Sequence, residues 1–137
     1  MDKTVVMVEF SIYGDNFDPN HISKLLDITP SKTYIKGDLI RNGGLTRKET
    51  AWCMDTGYEA SIDINEQLEK VMLLLEDKVD KLVEIKNNLC LNMLFLIVVK
   101  IQNHETPAMY FRKSFIHFAS KIDAEIGFDV YLNTHSL

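Results

Sequence analysis

The stretch from Leu89 to Gln102, LCLNMLFLIVVKIQ, constrains this chain more than any other. Its odd positions, Leu89, Leu91, Met93, Phe95, Ile97, Val99 and Ile101, are all apolar, the period-two pattern of a strand with one buried face. The even positions are Cys90, Asn92, Leu94, Leu96, Val98, Lys100 and Gln102, so the middle of the second face is apolar too. This predicts a central strand that wants at least partial cover on both sides. The aromatic and β-branched residues around Phe95 to Val99 favour a strand over a buried helical turn. The unbroken apolar run Met93–Val99 is far short of the roughly 20 residues a membrane-spanning helix needs, so no membrane role is expected.

Upstream, Thr4 to Tyr13 alternates, with Val6, Val8, Phe10 and Ile12 toward a core and Glu9, Ser11 and Tyr13 on a wetter face beside Val5 and Met7. Asp18-Pro19 reads as a helix cap followed by proline at the first helical position, opening a short helix with Ile22, Leu25 and Leu26 on one side. Ser31 to Lys36 is extended. The segment DLIRNGGLTRKE, Asp38 to Glu49, has two glycines and no apolar period, and is expected to be a mobile loop. Thr50 to Gly57 reads as a strand with Trp52 and Met54 on one face and Cys53 on the other. Asp63 and Glu66 have capping-box spacing and open a helix whose stripe is Ile64, Leu68, Val71, Met72 and Leu75. The apolar register runs on through Val79, Leu82 and Val83, which fits one helix of about 24 residues or two that part near Glu76-Asp77. After the central strand come an extended segment, Pro107 to Phe111, and a helix over Lys113 to Ile122 with Phe115, Phe118, Ala119 and Ile122 inward. In a last strand, Ala124, Ile126, Phe128, Val130 and Leu132 face the core.

The order β-α-β-β-α-β-α-β predicts an α+β two-layer sandwich, a mostly antiparallel sheet with helices on one face, an elaboration of the ferredoxin-like arrangement. Nothing in the 137 residues reads as a linker, so one domain is expected over 1–137. The N-terminal MDKTVVMVEF passes directly into a strand pattern without an export signal, and the two cysteines are too few for a disulfide framework. The expected compartment is the cytoplasm.

The strings FSIYGDNFDPNHISKLLDITPSKTYIKGD, TAWCMDTG, SIDINEQLEKV and TPAMYFRKSFIHFASKIDAEIGFDVYL together resemble the bacterial domain-of-unknown-function family 4279. YGDNFDP and TYIKGD are the most specific of these, and the resemblance covers residues 8–132. It implies a small stand-alone bacterial domain and carries no activity or cofactor with it. At the start of the last helix the family pattern implies a serine-like cap, where this chain has Arg112.

Charge narrows the function classes. The formal charge is −5, yet residues 31–50 hold five basic side chains against two acidic ones, leaving −8 for the rest. An acidic chain of this kind disfavours nucleic acid as a partner. Within the basic segment Lys32, Tyr34, Lys36, Arg41, Arg47 and Lys48 are candidate ligands for an anion, since arginine forks and free backbone donors near glycines suit phosphate or carboxylate. Gly43-Gly44 matches no phosphate-loop or dinucleotide fingerprint. Tyr13, Asp15 and Tyr131 are candidates for a partner surface, tyrosine being enriched at interfaces.

Asp15 and Asp18 lack the glutamate of a calcium loop, and the histidines 21, 104, 117 and 135 lack the close pairing of a zinc site, so no metal and no cofactor are expected. Cys53 and Cys90 read as small apolar residues, with a facing pair across neighbouring strands as the alternative. No acid, base and nucleophile assemble from neighbouring segments, and the chain is not expected to be an enzyme. The expectation is a binding protein, in the manner of an immunity protein inhibiting a protein partner. The alternative is a module for an anionic small ligand or nucleotide. Homodimerisation through Leu94, Leu96 and Val98 is a further expectation.

Overall fold

Two long alternating segments build the middle of the sheet. β1 (Val5–Gly14) and β5 (Asn92–Ile101) pair antiparallel, from Val5 opposite Lys100 to Tyr13 opposite Asn92. The structure, a computed structural model, describes residues 3–41 and 43–133. β2 (Lys32–Tyr34), β3 (Thr50–Asp55), β4 (Glu59–Ala60) and β6 (Glu125–Leu132) complete a six-stranded sheet of order β2-β3-β1-β5-β6, with β4 paired to the start of β1. All pairings are antiparallel except β5 with β6. β3 thus lies between β1 and β2, a split β-α-β unit, whereas β6 is added beyond β5 by a parallel crossover and goes past the expected ferredoxin-like plan.

Four helices lie on one face: α1 (Pro19–Leu26), α2 (Ile64–Leu75), α3 (Val79–Leu89) and α4 (Lys113–Lys121). α1 starts where Asp18 accepts the Asn20 N–H and ends at Asp27 in the left-handed region, φ 55°. At α2 the capping box is only half formed. Asp63 accepts the Asn65 N–H, but Glu66 accepts the Ser61 hydroxyl at 2.6 Å, and the Asp63 N–H is left to Ser61 Oγ. The choice between one long helix and two is settled by a 3-10 turn at Glu76–Lys78. α4 begins at Lys113 without a side-chain cap; the Arg112 N–H donates to Asn65 Oδ1 at 3.3 Å.

The core is the expected one on the helix side. Val6, Val8, Phe10 and Ile12 of β1, Trp52 and Met54 of β3, and Met93, Phe95, Ile97 and Val99 of β5 meet Ile22, Ile64, Leu68, Val71, Leu82 and Phe115 from the helices. Phe95 is its hub, with ring centroids 4.9 Å from Phe10, 5.0 Å from Phe115 and 6.2 Å from Phe118.

Three sequence expectations need correction. Leu89 and Cys90 are not in the central strand: α3 runs through Leu89, and Cys90 is its exposed left-handed cap, φ 53°. Cys90 therefore cannot face the buried Cys53 across neighbouring strands, and β3 and β5 are separated by β1. The partial cover expected on the second face of β5 is present without a helix: Val98 is buried, and Leu94 and Leu96 are half-buried, lying across Gly127, where an added Cβ would sit 3.7 and 3.6 Å from their Cδ1 atoms. The core-facing side of β6 is exposed, from 37% at Ile126 to 66% at Leu132, because an edge strand has no neighbour on its outer side.

Candidate ligand site on the open sheet face

The period-two rule that buries Phe10 and Ile12 sends Glu9, Ser11 and Tyr13 to the opposite face, and places Ala51 and Cys53 of β3 beside them. This face carries no helix. Over it folds the 35–49 segment, which is hydrogen-bonded at its stem and is no structureless loop. The Gly37 N–H donates to Arg47 O, Arg47 N–H to Asp38 O, and Ile40 N–H to Leu45 O, with a bridge between Leu39 and Thr46. Gly37 and Gly44 take φ of 95° and 67° in it, conformations that side chains resist. Between this flap and the sheet is a cavity of about 660 Å³. Its floor is Glu9, Ser11, Tyr13, Cys53 and Leu94; its walls include Tyr34, Leu45, Arg47, Lys48 and Glu49.

A polar strip crosses the floor. Lys32 pairs with Glu9 at 3.1 Å, and Ser11 Oγ lies 3.4 Å from both Glu9 Oε1 and Cys53 Sγ. Partial burial works against the Lys32 charge, but hydrogen bonding to Tyr34 and Glu9 outweighs it and raises the ammonium above the ordinary lysine range. At the edge the Tyr13 hydroxyl donates to Glu125 at 3.4 Å. Burial, then the Glu125 carboxylate, pushes that phenol up. The Arg47 guanidinium stacks 3.6 Å above the Tyr34 ring, a cation–π contact that holds the charge at the cavity wall.

Burial also raises the Cys53 thiol, only partly offset by the Ser11 hydrogen bond, so the sulfur is a neutral thiol at physiological pH and a poor nucleophile. The linkage has a definite sign: a folded pKa above the unfolded value means the folded state binds more protons, so stability is lost as pH rises. The midpoint of urea unfolding is expected to fall from about pH 9 upward, and Cys53→Ala to flatten the fall before Tyr13 adds its own loss at higher pH. An unchanged slope in the variant would refute the assignment.

The structure sorts the six anion candidates. Tyr34, Arg47 and Lys48 line the cavity; Lys32 does not line it but pairs with Glu9 of its floor. Lys36 turns away to pair with Asp15, and Arg41 at the flap tip does not line the cavity. Arg47 and Lys48 have no carboxylate partner among the described residues. Glu9, Ser11 and Cys53 were missed as site residues; the signal was the alternation of β1, which put Glu9 and Ser11 on one face with Tyr13. The partner-surface candidates do not form one patch. Tyr13 and Asp15 lie at one end of the sheet, but Tyr131 pairs with Lys100 at the other. His104 and His117 are exposed and apart, and His135 lies outside the described residues. No group of three or more metal-binding side chains gathers among the described residues, and no described helix is long and apolar enough to cross a membrane.

The fold and the site define a small α+β sandwich with a flap-covered cavity on its open sheet face. Residues 3–133 match the model of the domain of unknown function family DUF4279, and the chain belongs to that family. No curated protein and no solved structure matches it.

Proposed function

We propose that this protein is a non-enzymatic binding module that holds an anionic small ligand, of nucleotide or carboxylate type, between its open sheet face and the 35–49 flap. The observation that carries this reading is the pair of cations, Arg47 and Lys48, on the wall of a cavity of about 660 Å³. That volume is in the range of small-molecule sites, which combine apolar lining with a few placed charges. Tyr34, Leu45, Leu94 and Tyr13 offer the apolar and aromatic lining. The guanidinium supplies paired donors for a phosphate or carboxylate.

A panel of nucleotides and carboxylates tested by thermal denaturation decides it. At a hundredfold excess over Kd a ligand adds about 2.7 kcal/mol of stability, a rise on the order of 10 °C in a domain of this size. The rise should disappear in Arg47→Ala/Lys48→Ala and survive in Lys36→Ala/Arg41→Ala, whose side chains do not line the cavity. If no compound raises the melting temperature, or both double variants respond alike, the reading fails.

A second reading is a bacterial cytoplasmic protein that inhibits a protein partner as immunity proteins do. It is supported by Glu125, Asp129 and Tyr131, which are exposed in turn along β6, carboxylates and a tyrosine suited to a basic surface.

A further inference from the structure

The two edges of the sheet are treated differently. At one edge β2 is three residues long and carries Lys32, a short and charged end of the kind that resists pairing with another chain. At the other, β6 has eight residues, EIGFDVYL, with no lysine and no proline. Every residue of it except Gly127 is exposed. The Asn133 N–H donates to Ile101 O at 3.0 Å, so by alternation Gly127, Asp129 and Tyr131 turn their backbone groups toward β5. Ile126, Phe128, Val130 and Leu132 then direct N–H and C=O outward. The same four residues bear the exposed apolar side chains of the helix-side face, 37%, 38%, 47% and 66% exposed. Backbone donors and apolar side chains are thus presented together along one open edge.

We infer that β6 is a self-association edge, pairing antiparallel with β6 of a second copy of this chain about a twofold axis at Phe128. Such an isologous contact joins two six-stranded sheets into one and gives the outward backbone groups of Ile126, Phe128 and Val130 partners. The charge pattern selects the register. Centred on Asp129, the strands would set two aspartates directly opposite each other. Centred on Gly127, they would set Glu125 against Asp129 twice. Like charges so placed are destabilising. Centred on Phe128, Glu125 meets Tyr131, Asp129 meets Gly127, Ile126 meets Val130, and Phe128 meets its own copy. In this register the directly hydrogen-bonded pairs are the even residues, those whose N–H and C=O point outward. A centre at Val130 also avoids the carboxylates but leaves the first half of β6 unpaired.

The test is sedimentation equilibrium of the full chain at tens of micromolar, joined to amide hydrogen exchange. The wild type should show about twice the 15.8 kDa chain mass. Val130→Lys, which sets a charge against Ile126 of the partner subunit, should give the monomer mass with an unchanged circular dichroism spectrum. In the wild type the amides of Ile126 and Phe128 should exchange at least about a hundredfold more slowly than in Val130→Lys. A wild type that stays monomeric overturns the inference. So does a dimer that survives Val130→Lys with the Ile126 and Phe128 amides exchanging freely, since its contact then lies elsewhere, on Leu94 and Leu96 for example. If Val130→Lys fails to fold, the wild-type exchange decides alone: protection of these amides that grows with protein concentration supports the edge, and free exchange refutes it.

Discussion

Phe95→Ala is expected to destabilise the protein by about 3–5 kcal/mol, a large part of the roughly 5–15 kcal/mol that holds a domain together. The reason is position as much as size. Phe95 is fully buried at the middle of β5, and its ring meets those of Phe10, Phe115 and Phe118, one from the neighbouring strand and two from α4. Removing the ring takes away transfer energy and leaves a cavity bounded on one side by the sheet, which cannot collapse to fill it. Urea unfolding followed by the fluorescence of Trp52, the single tryptophan of the chain, reads the effect. A loss under about 1 kcal/mol would mean that the site relaxes and that Phe95 is not the hub.

The second large effect is expected at Trp52 itself. It is fully buried, and its indole N–H donates to Ser23 Oγ at 3.0 Å, joining β3 to α1. Trp52→Ala should cost about 3–5 kcal/mol through the lost ring. Trp52→Phe keeps most of the apolar volume but leaves the Ser23 hydroxyl without its donor, for a cost of about 1–2 kcal/mol. Because both variants lack the fluorophore, the melts are followed by circular dichroism. Equal costs for the two would show that the hydrogen bond, and not the ring, is what matters at this position.

The outcome at these core positions was legible because period two and period 3.6 each report which residues share a face, and sharing a face is what a core requires. The burial of Val6 to Ile12, of the α2 stripe and of Phe115, Phe118, Ala119 and Ile122 follows from that alone. Legibility stopped where cover depends on a neighbour remote in sequence. Ile126 to Leu132 alternate as well as any buried strand, yet their exposure is decided by the edge position of β6. In α3 the buried pair is Leu82 and Ile85, with Val79 and Val83 only partly covered, because the 3-10 turn at Glu76–Lys78 rephases the stripe. Cys90 continued the strand's composition, but the left-handed cap of α3 claimed it.

The site shows the same division. That the positive charge gathers in 31–50 was visible in composition. Which cations remain available was not, since Glu9 and Asp15, the partners that engage Lys32 and Lys36, belong to the region around β1 and reach them only through the fold. The half-apolar second face of β5 calls for a cover and has one without a helix: Leu94 lies beneath the flap, Leu94 and Leu96 rest over the glycine of β6, and Val98 is buried.

The pairing of β1 with β5 also sets the order of events when the chain folds. β1 lies between β3 and β5 in the sheet, and Val5 meets Lys100. The first half of the chain can assemble β1, α1, β2 and β3 among near neighbours, but one side of β1 stays bare until the residues of β5 have been synthesised. Contacts so distant in sequence slow folding and leave an unpaired strand edge exposed in the interim. A ribosome-bound chain halted before Asn92 should therefore hold β1 as an open edge, the stage at which a chaperone has most to protect.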